Sequence, residues 1–162
     1  MREQLPELLP GLKRFAYALT GARADADDLL QATVERLLRR PPPADADLSR
    51  WAFRVCRNLW IDETRSRKVR NHAPASDDLK GAPYEDGETA MINHVTLSEV
   101  NLAMQSLPGE QRAALALVAV EGMTYARAAE VLEVPIGTIM SRVARARRGL
   151  ANVFEPAPEC SS

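Results

Sequence analysis

Residues 124–150, TYARAAEVLEVPIGTIMSRVARARRGL, carry the pattern that decides how the C-terminal part of this chain folds. Thr124 can cap a helix over 125–132, and a tight connection over 135–137 leads to a second helix from Thr138 to about Val153. The apolar positions of this second helix recur at helical spacing and are expected to face inward: Ile139, Val143, Ala146 and Leu150. Two short helices joined in this way predict a helix-turn-helix.

The second helix of this motif has a polar and basic set of side chains near its N-terminus. They are Thr138, Met140, Ser141, Arg142 and Arg145. This end of such a helix enters the major groove of DNA, where Arg pairs with guanine and Ser or Thr bonds a base or a phosphate. These residues are therefore candidate DNA-binding residues. The alternative is an ordinary helical hairpin with its arginines in water.

Two further helices precede the motif, the first ended by Pro108-Gly109 and the second by Gly122. Their apolar stripes are expected to comprise Leu97, Val100, Met104 and Leu107 in the first, and Leu115, Val118 and Ala119 in the second. Residues 96–155 are therefore predicted to form one small helical domain.

The first 70 residues predict a second helical domain with three helices. One stops near Gly21 after an apolar stripe of Leu8, Leu12, Phe15 and Leu19. The next starts around Asp25, with Asp28 completing an imperfect capping box, and ends before three prolines at 41–43. The third, from about Ser49 to Arg67, has an apolar arc opposite a basic one. The basic arc comprises Arg50, Arg54, Arg57 and Arg65.

Charge is distributed unevenly along the chain, although its net value is only −1. Residues 36–70 contain ten Lys/Arg against four acids, and residues 136–149 contain four arginines and no acid. Between them, residues 77–99 contain six acids against one lysine. Two basic blocks suggest two surfaces for a polyanion. Residues 71–95, with their prolines and glycines, predict a flexible acidic linker.

Composition excludes several classes of protein. No stretch approaches the ~20 apolar residues of a membrane span, and no basic-then-apolar signal peptide opens the chain. Cys56 and Cys160 are far apart, and His72 and His94 are isolated, so neither a disulfide scaffold nor a metal site is expected. No catalytic motif is present, which argues against an enzyme or a cofactor. A cytoplasmic location is expected.

The chain resembles the extracytoplasmic-function (ECF) sigma factors of bacterial RNA polymerase. The segment from Leu107 to Leu150 is similar to region 4 of that family, which recognises the −35 promoter element and contacts the β flap. ADADDLLQATVERLLRR is similar to the region 2 helix that docks on the β′ clamp, and WAFRVCRNLWIDETRSRK to the segment that opens the −10 element. The resemblance implies an all-α fold, with region 2 at 1–70, a linker at 71–95 and region 4 at 96–155.

The resemblance also assigns roles to individual residues. It implies that Gln31, with neighbouring Asp28 and Glu35, contacts polymerase. It implies that Asn58 binds a flipped base of the −10 element, because a side-chain amide offers both a donor and an acceptor. The accompanying −10 residues would be Arg54, Arg65, Arg67 and Lys68. The family pattern has glycine at the turn position that Glu133 occupies here, where a left-handed backbone costs about 1 kcal/mol.

The partners that the resemblance implies are core polymerase, promoter DNA and an anti-sigma factor, without membrane insertion of the chain itself. Two other hypotheses remain open. One is a sigma-like mimic that sequesters an anti-sigma factor without binding DNA. The other is a stand-alone helix-turn-helix repressor, which would usually dimerise to read two half-sites.

Overall fold

A computed structural model describes residues 3–70 and 97–154, with the side chains of 68–70 and 97 excepted. The predicted linker, both histidines and Cys160 lie outside the described residues. Within them every regular element is helical, so the predicted all-α fold is confirmed.

Three helices form the N-terminal part: α1 (Leu5–Thr20), α2 (Arg23–Arg39) and α3 (Leu48–Arg70). Gly21 ends α1 in a left-handed conformation with φ 80°, which glycine adopts without strain. Only Gly21 and Ala22 separate α1 from α2, so α2 begins before Asp25, and it has no side-chain cap. The predicted capping box of Asp25 and Asp28 is therefore wrong, because both residues already lie inside the helix.

Four helices form the C-terminal part: α4 (Leu97–Gln105), α5 (Gly109–Leu115), α6 (Tyr125–Leu132) and α7 (Ile136–Phe154). A π-helical turn, Ala116–Val120, continues α5. The Thr124 side chain accepts a hydrogen bond from the Arg127 N–H at 3.0 Å, as expected of a cap on α6. Glu133 follows α6 in the left-handed conformation predicted for it, with φ 58° and ψ 47°.

The apolar register of α4 and α5 differs from the prediction at two positions. Val100 is 37% exposed, and Ala103 is buried instead. Ala119 is also exposed, because the wider π turn rotates the residues after Leu115 relative to an α-helix. The buried residues of α5 and the π turn are Ala113, Ala114, Leu115, Ala116 and Leu117.

The two parts of the chain share one continuous apolar core. The α1 helix packs on α2 and α3, and also on α4, α5 and the π turn. The α3 helix packs on α2 with one face and on α6 with another. Phe15 and Phe53 meet edge to face at the centre of the N-terminal part, with ring centroids 5.4 Å apart. This arrangement brings α3 against the helix-turn-helix.

Candidate nucleic-acid interface

Helix α7 is anchored by its apolar face, and its opposite face is partly exposed. Ile139, Val143 and Ala146 are fully buried, whereas Met140, Ser141 and Arg145 are exposed. Thr138 is half-buried in the first turn of the helix. The exposed set therefore lies at the end of α7 that enters a major groove in proteins of this type.

Arg142 is more covered than its position on the polar face predicts. Its side chain is 18% exposed, and Nη2 lies 3.4 Å from Glu110 Oε1. Nη1 is buried without a hydrogen-bond partner among the described residues. Burial, followed by the positive charge of Arg142, lowers the pKa of Arg57 on α3, which places the basic face of α3 near this end of α7. Arg142 is therefore partly withheld from solvent.

The candidate −10 residues on α3 fall into two environments. Asn58 is exposed and its Oδ1 accepts a hydrogen bond from Arg57 at 3.1 Å. Arg65 is also exposed, and Arg67 lies 3.4 Å from Glu63 and 3.7 Å from Asp25. The side chain of Lys68 lies outside the described residues. Arg54, in contrast, is only 23% exposed.

Arg54 is covered because it contacts the C-terminal end of α6. Nε donates to the Val131 carbonyl at 3.0 Å, and Nη2 donates to the Glu130 carbonyl. Nη1 lies 3.2 Å from the Glu133 carboxylate. The last carbonyls of a helix have no partner within the helix, and its C-terminus favours a cation, so Arg54 caps α6 from the other half of the chain. We call these three interactions the Arg54 contact.

A second ion pair joins the start of α3 to α6. Asp47 accepts a hydrogen bond from the Arg50 N–H at 3.2 Å, which caps α3, and also pairs with the Arg127 guanidinium, with one bond at 3.0 Å. The hydrogen bond from Arg127 lowers the pKa of Asp47 to about 2. The Asp47–Arg127 pair therefore serves the N-terminus of one helix and the packing of the two halves.

Arg112 of α5 joins the two halves on the opposite side. It donates to the Leu19 carbonyl of α1 at 2.8 Å and to three carbonyls at the end of α4, those of Met104, Gln105 and Leu107. Its guanidinium also lies 5.3 Å from the ring centre of Trp60. Burial lowers the pKa of Arg112. Four acceptors compensate for the buried charge.

Amide and carboxylate side chains complete the contact between the halves. Asn101 and Gln105 donate to the carbonyls of Gly21 and Ala18 at 2.8 and 3.0 Å. The Glu121 carboxylate is 6% exposed and takes two bonds from Arg14, at 3.1 and 3.2 Å. Together with the contacts of Arg54, Arg127 and Arg112, these bonds hold the halves in a packed form.

The candidate polymerase-binding residues lie away from this contact. Asp28, Gln31 and Glu35 are all exposed on α2, spaced three and four residues apart, so they share one side of the helix. The packed form therefore covers part of the candidate DNA-binding set and leaves this side of α2 exposed.

Sequence reasoning missed the residues that join the halves. The basic arc of α3 indicated a surface for phosphate, and nothing in a single sequence shows that Arg54 instead meets helix-end carbonyls. One available signal was Asp47, which lies two residues before the predicted start of the third helix and is a favoured cap residue. The unusual Glu133 was the other.

Metal and membrane chemistry find no support in the described parts of the chain. No three His, Cys, Asp or Glu side chains at 3–70 or 97–154 cluster so as to hold a metal ion. None of the helices built there is long and apolar enough to cross a bilayer. Cys56 is buried beside Thr33, and burial raises the pKa of its thiol to about 12, so it is not a reactive nucleophile.

Comparison with known proteins gives a consistent family. Residues 7–70 match the model of sigma-70 region 2, and residues 97–150 match that of sigma-70 region 4. The ECF RNA polymerase sigma factor EcfG of Rhodopseudomonas palustris is 34% identical over 93% of this chain and 83% of its own.

Two solved structures share the fold. The sigma factor RpoE of Bartonella quintana, in complex with the anti-sigma factor NepR, superposes with a TM-score of 0.79 over 96% of both chains at 25% identity. The anti-anti-sigma factor PhyR of the same organism, also complexed with NepR, gives a TM-score of 0.63 at 18% identity, over 93% of this chain and 49% of its own. With both regions present in order and a relative similar along nearly its whole length, the chain belongs to the ECF sigma factors, which direct core RNA polymerase to specific promoters.

Proposed function

We propose that this chain acts through two surfaces, the exposed side of α2 for polymerase and the faces of α3 and α7 for promoter DNA. The observation that carries the proposal is the exposure of Asp28, Gln31 and Glu35 together on α2, away from the contact between the halves. An acidic and amide surface suits a basic coiled coil such as the β′ clamp. Polymerase then performs the chemistry, and the chain acts in the cytoplasm.

The −10 element is read, in this proposal, by α3. Asn58 offers an exposed amide to an extruded base, and the neighbouring Arg65, Arg67 and Lys68 bind phosphates. Arg54 joins them only when it leaves the Arg54 contact.

The −35 element is read by α7, whose N-terminal end bears Thr138, Met140, Ser141, Arg142 and Arg145. Arg145 is fully available for a guanine edge, since it is exposed and lies one helical turn beyond Ser141. In this proposal region 4 also contacts the β flap, and this contact holds α7 at the −35 element.

The packed form cannot read the −10 and −35 elements at the same time. The −10 and −35 elements lie about 25 base pairs apart, or ~85 Å at 3.4 Å per base pair. Arg54 of the −10 set, however, touches the turn of the helix-turn-helix directly. The halves must therefore separate before the chain reads a promoter.

Control by an anti-sigma factor fits this packed form. The Bartonella RpoE, similar over nearly its whole length, was solved with an anti-sigma factor bound. We infer that a corresponding partner holds this chain packed until a signal releases it.

The two alternatives are less consistent with the chain. PhyR shows that the same fold serves a protein that binds an anti-sigma factor, so the fold alone does not exclude a mimic. A mimic, however, has no use for DNA-facing arginines such as Arg145 and Arg65. A repressor would leave the exposed side of α2 without a role.

Run-off transcription tests the proposal directly. The purified chain is added to sigma-free core polymerase and fragmented host DNA, and transcript starts are sequenced. We expect discrete starts that share −10 and −35 elements. Binding to an anti-sigma protein without transcripts would instead show a mimic, and specific duplex binding by the chain alone would show a repressor.

A further inference from the structure

We propose that Glu133 is an intramolecular competitor of DNA: its carboxylate holds Arg54 in the packed form and must release it before this arginine reaches a phosphate. The inference rests on the proposed function for the destination of Arg54. The contact itself is visible in the structure.

The first observation is the backbone of Glu133. This residue has a left-handed conformation, with φ 58°, in the turn where glycine would be unstrained. A glutamate at this position is unfavourable for the turn alone. The reason for a glutamate at this position therefore lies in the contact that its side chain makes.

The second observation is that the contact crosses between the halves of the chain. Glu133 follows α6, and its Oε2 lies 3.2 Å from Nη1 of Arg54 on α3. Its side chain is 62% exposed, so the pair can part without unpacking the core around it.

The third observation is the arrangement of acceptors around Arg54. Two carbonyl oxygens, of Val131 and Glu130, and one carboxylate oxygen surround a single guanidinium. Several oxygens with one negative charge are also what a DNA phosphate offers to an arginine. The Arg54 contact and a phosphate therefore satisfy the same donors, and each excludes the other.

Two substitutions separate charge from backbone strain. Glu133→Gln removes the charge and keeps the side-chain length and the strained backbone. Glu133→Gly removes both the charge and the strain. Asp27→Asn is the matched control, because Asp27 is an exposed carboxylate on α2 that forms no ion pair with an arginine of the candidate DNA-binding set among the described residues.

The readout is the distance between the halves in the full chain, measured by single-molecule fluorescence transfer. Dyes are placed on cysteines introduced at Lys13 of α1 and Asn152 of α7, both exposed. Cys160 is replaced by serine, and the buried Cys56 thiol, with its pKa of about 12, does not label.

We call the fraction of molecules whose halves are separated the open fraction. We expect Glu133→Gln and Glu133→Gly to raise it roughly two- to five-fold, which corresponds to the free energy of a solvent-exposed ion pair. Asp27→Asn should leave the open fraction unchanged. In an Arg54→Gln background the effect of Glu133→Gln should disappear, because the interaction partner is gone.

Binding to a random-sequence duplex, without polymerase, gives the second readout. Glu133→Gln and Asp27→Asn each lose one negative charge, so any excess affinity of Glu133→Gln over Asp27→Asn reports the release of Arg54. We expect this excess to weaken with added salt.

If the Glu133→Gln variant has the same open fraction as the unsubstituted chain, the inference is overturned, whether or not the chain directs transcription. If the variant opens but the unsubstituted chain directs no transcription from core polymerase, the proposed function fails and the competition for the Arg54 side chain stands.

Discussion

At the scale of single residues, Arg112 illustrates how a buried charge is kept. Its guanidinium serves four carbonyls, one on α1 and three at the end of α4, and covers the ring of Trp60. The Leu19 carbonyl lies in the last turn of α1, and those of Met104 and Gln105 lie in the last turn of α4, where carbonyls lack a donor four residues on within the helix; Leu107 follows α4 directly. The residue therefore completes two helix ends at once.

Arg112→Ala should lower the free energy of unfolding by about 2–4 kcal/mol, since several buried acceptors lose their donor. Arg112→Lys should recover part of this loss, because an ammonium restores the charge but not the planar fork of donors. Urea unfolding of the full chain followed by circular dichroism measures both. Arg147→Ala, at an exposed position of α7, is the control, and an equal effect there would contradict this account.

Asp47 gives a prediction about pH. Its pKa falls from 3.8 to about 2 when Arg127 bonds it in the folded chain. A carboxylate whose pKa is depressed by folding adds stability above the pKa of the unfolded chain and loses it as pH falls through the folded value. The Asp47 contribution is therefore complete above about pH 4 and disappears towards pH 2.

The difference in stability between the unsubstituted chain and Asp47→Asn should follow this course. It should be constant from neutral pH down to about pH 4 and shrink below it, as measured by thermal unfolding at a series of pH values. A difference that does not change between pH 4 and pH 2 would show that the Arg127 bond does not hold in solution.

At the scale of the helices, the sequence predicted the helix-turn-helix in detail. The cap at Thr124 and the buried Ile139, Val143 and Ala146 follow from local rules of spacing and capping, and the left-handed Glu133 follows from the glycine that the family pattern has at this position. These features depend on neighbours within about one turn, which a single sequence displays.

The elements that sequence reasoning placed less well depend on distant contacts. The π turn changes the register after Leu115, and no residue pattern marks it. The α3 helix has a second packed face, because its basic arc meets α6 across the chain. Arg54 looks the same in sequence whether it faces water, phosphate or helix-end carbonyls.

The proposed function gives two helices, α7 and α2, roles that can be separated by substitution. Arg145→Ala should weaken recognition of the −35 element by about 1–3 kcal/mol and leave binding to core polymerase unchanged. Gln31→Ala should have the opposite effect, weakening binding to core while the fold is kept, because its side chain is exposed on α2. Core binding by gel filtration and promoter-dependent transcription distinguish the two. Normal transcription from either variant would remove that residue from the proposed site.

At the scale of the whole molecule, the two halves are packed through apolar core and through paired charges at the rim. The apolar part gives the contact its strength. Charged pairs such as Arg54 with Glu133 and Asp47 with Arg127 fix its orientation and leave it responsive to competing anions. The proposed function needs both properties, since in it the halves pack for control and separate on DNA.

The amide bonds from Asn101 and Gln105 to the end of α1 have a further consequence. They terminate a helix of the first half with side chains of the second, and the two halves bury one core together. A chain divided by a protease or by gene design anywhere in residues 71–96 should therefore remain a one-to-one assembly. Separately expressed pieces 1–70 and 97–162 should find each other and co-elute from a sizing column. Independent elution would show that covalent continuity is what keeps them together. Reassembly from fragments would make this protein a scaffold for split reporters, in which one fragment is added to the other to restore the complete assembly.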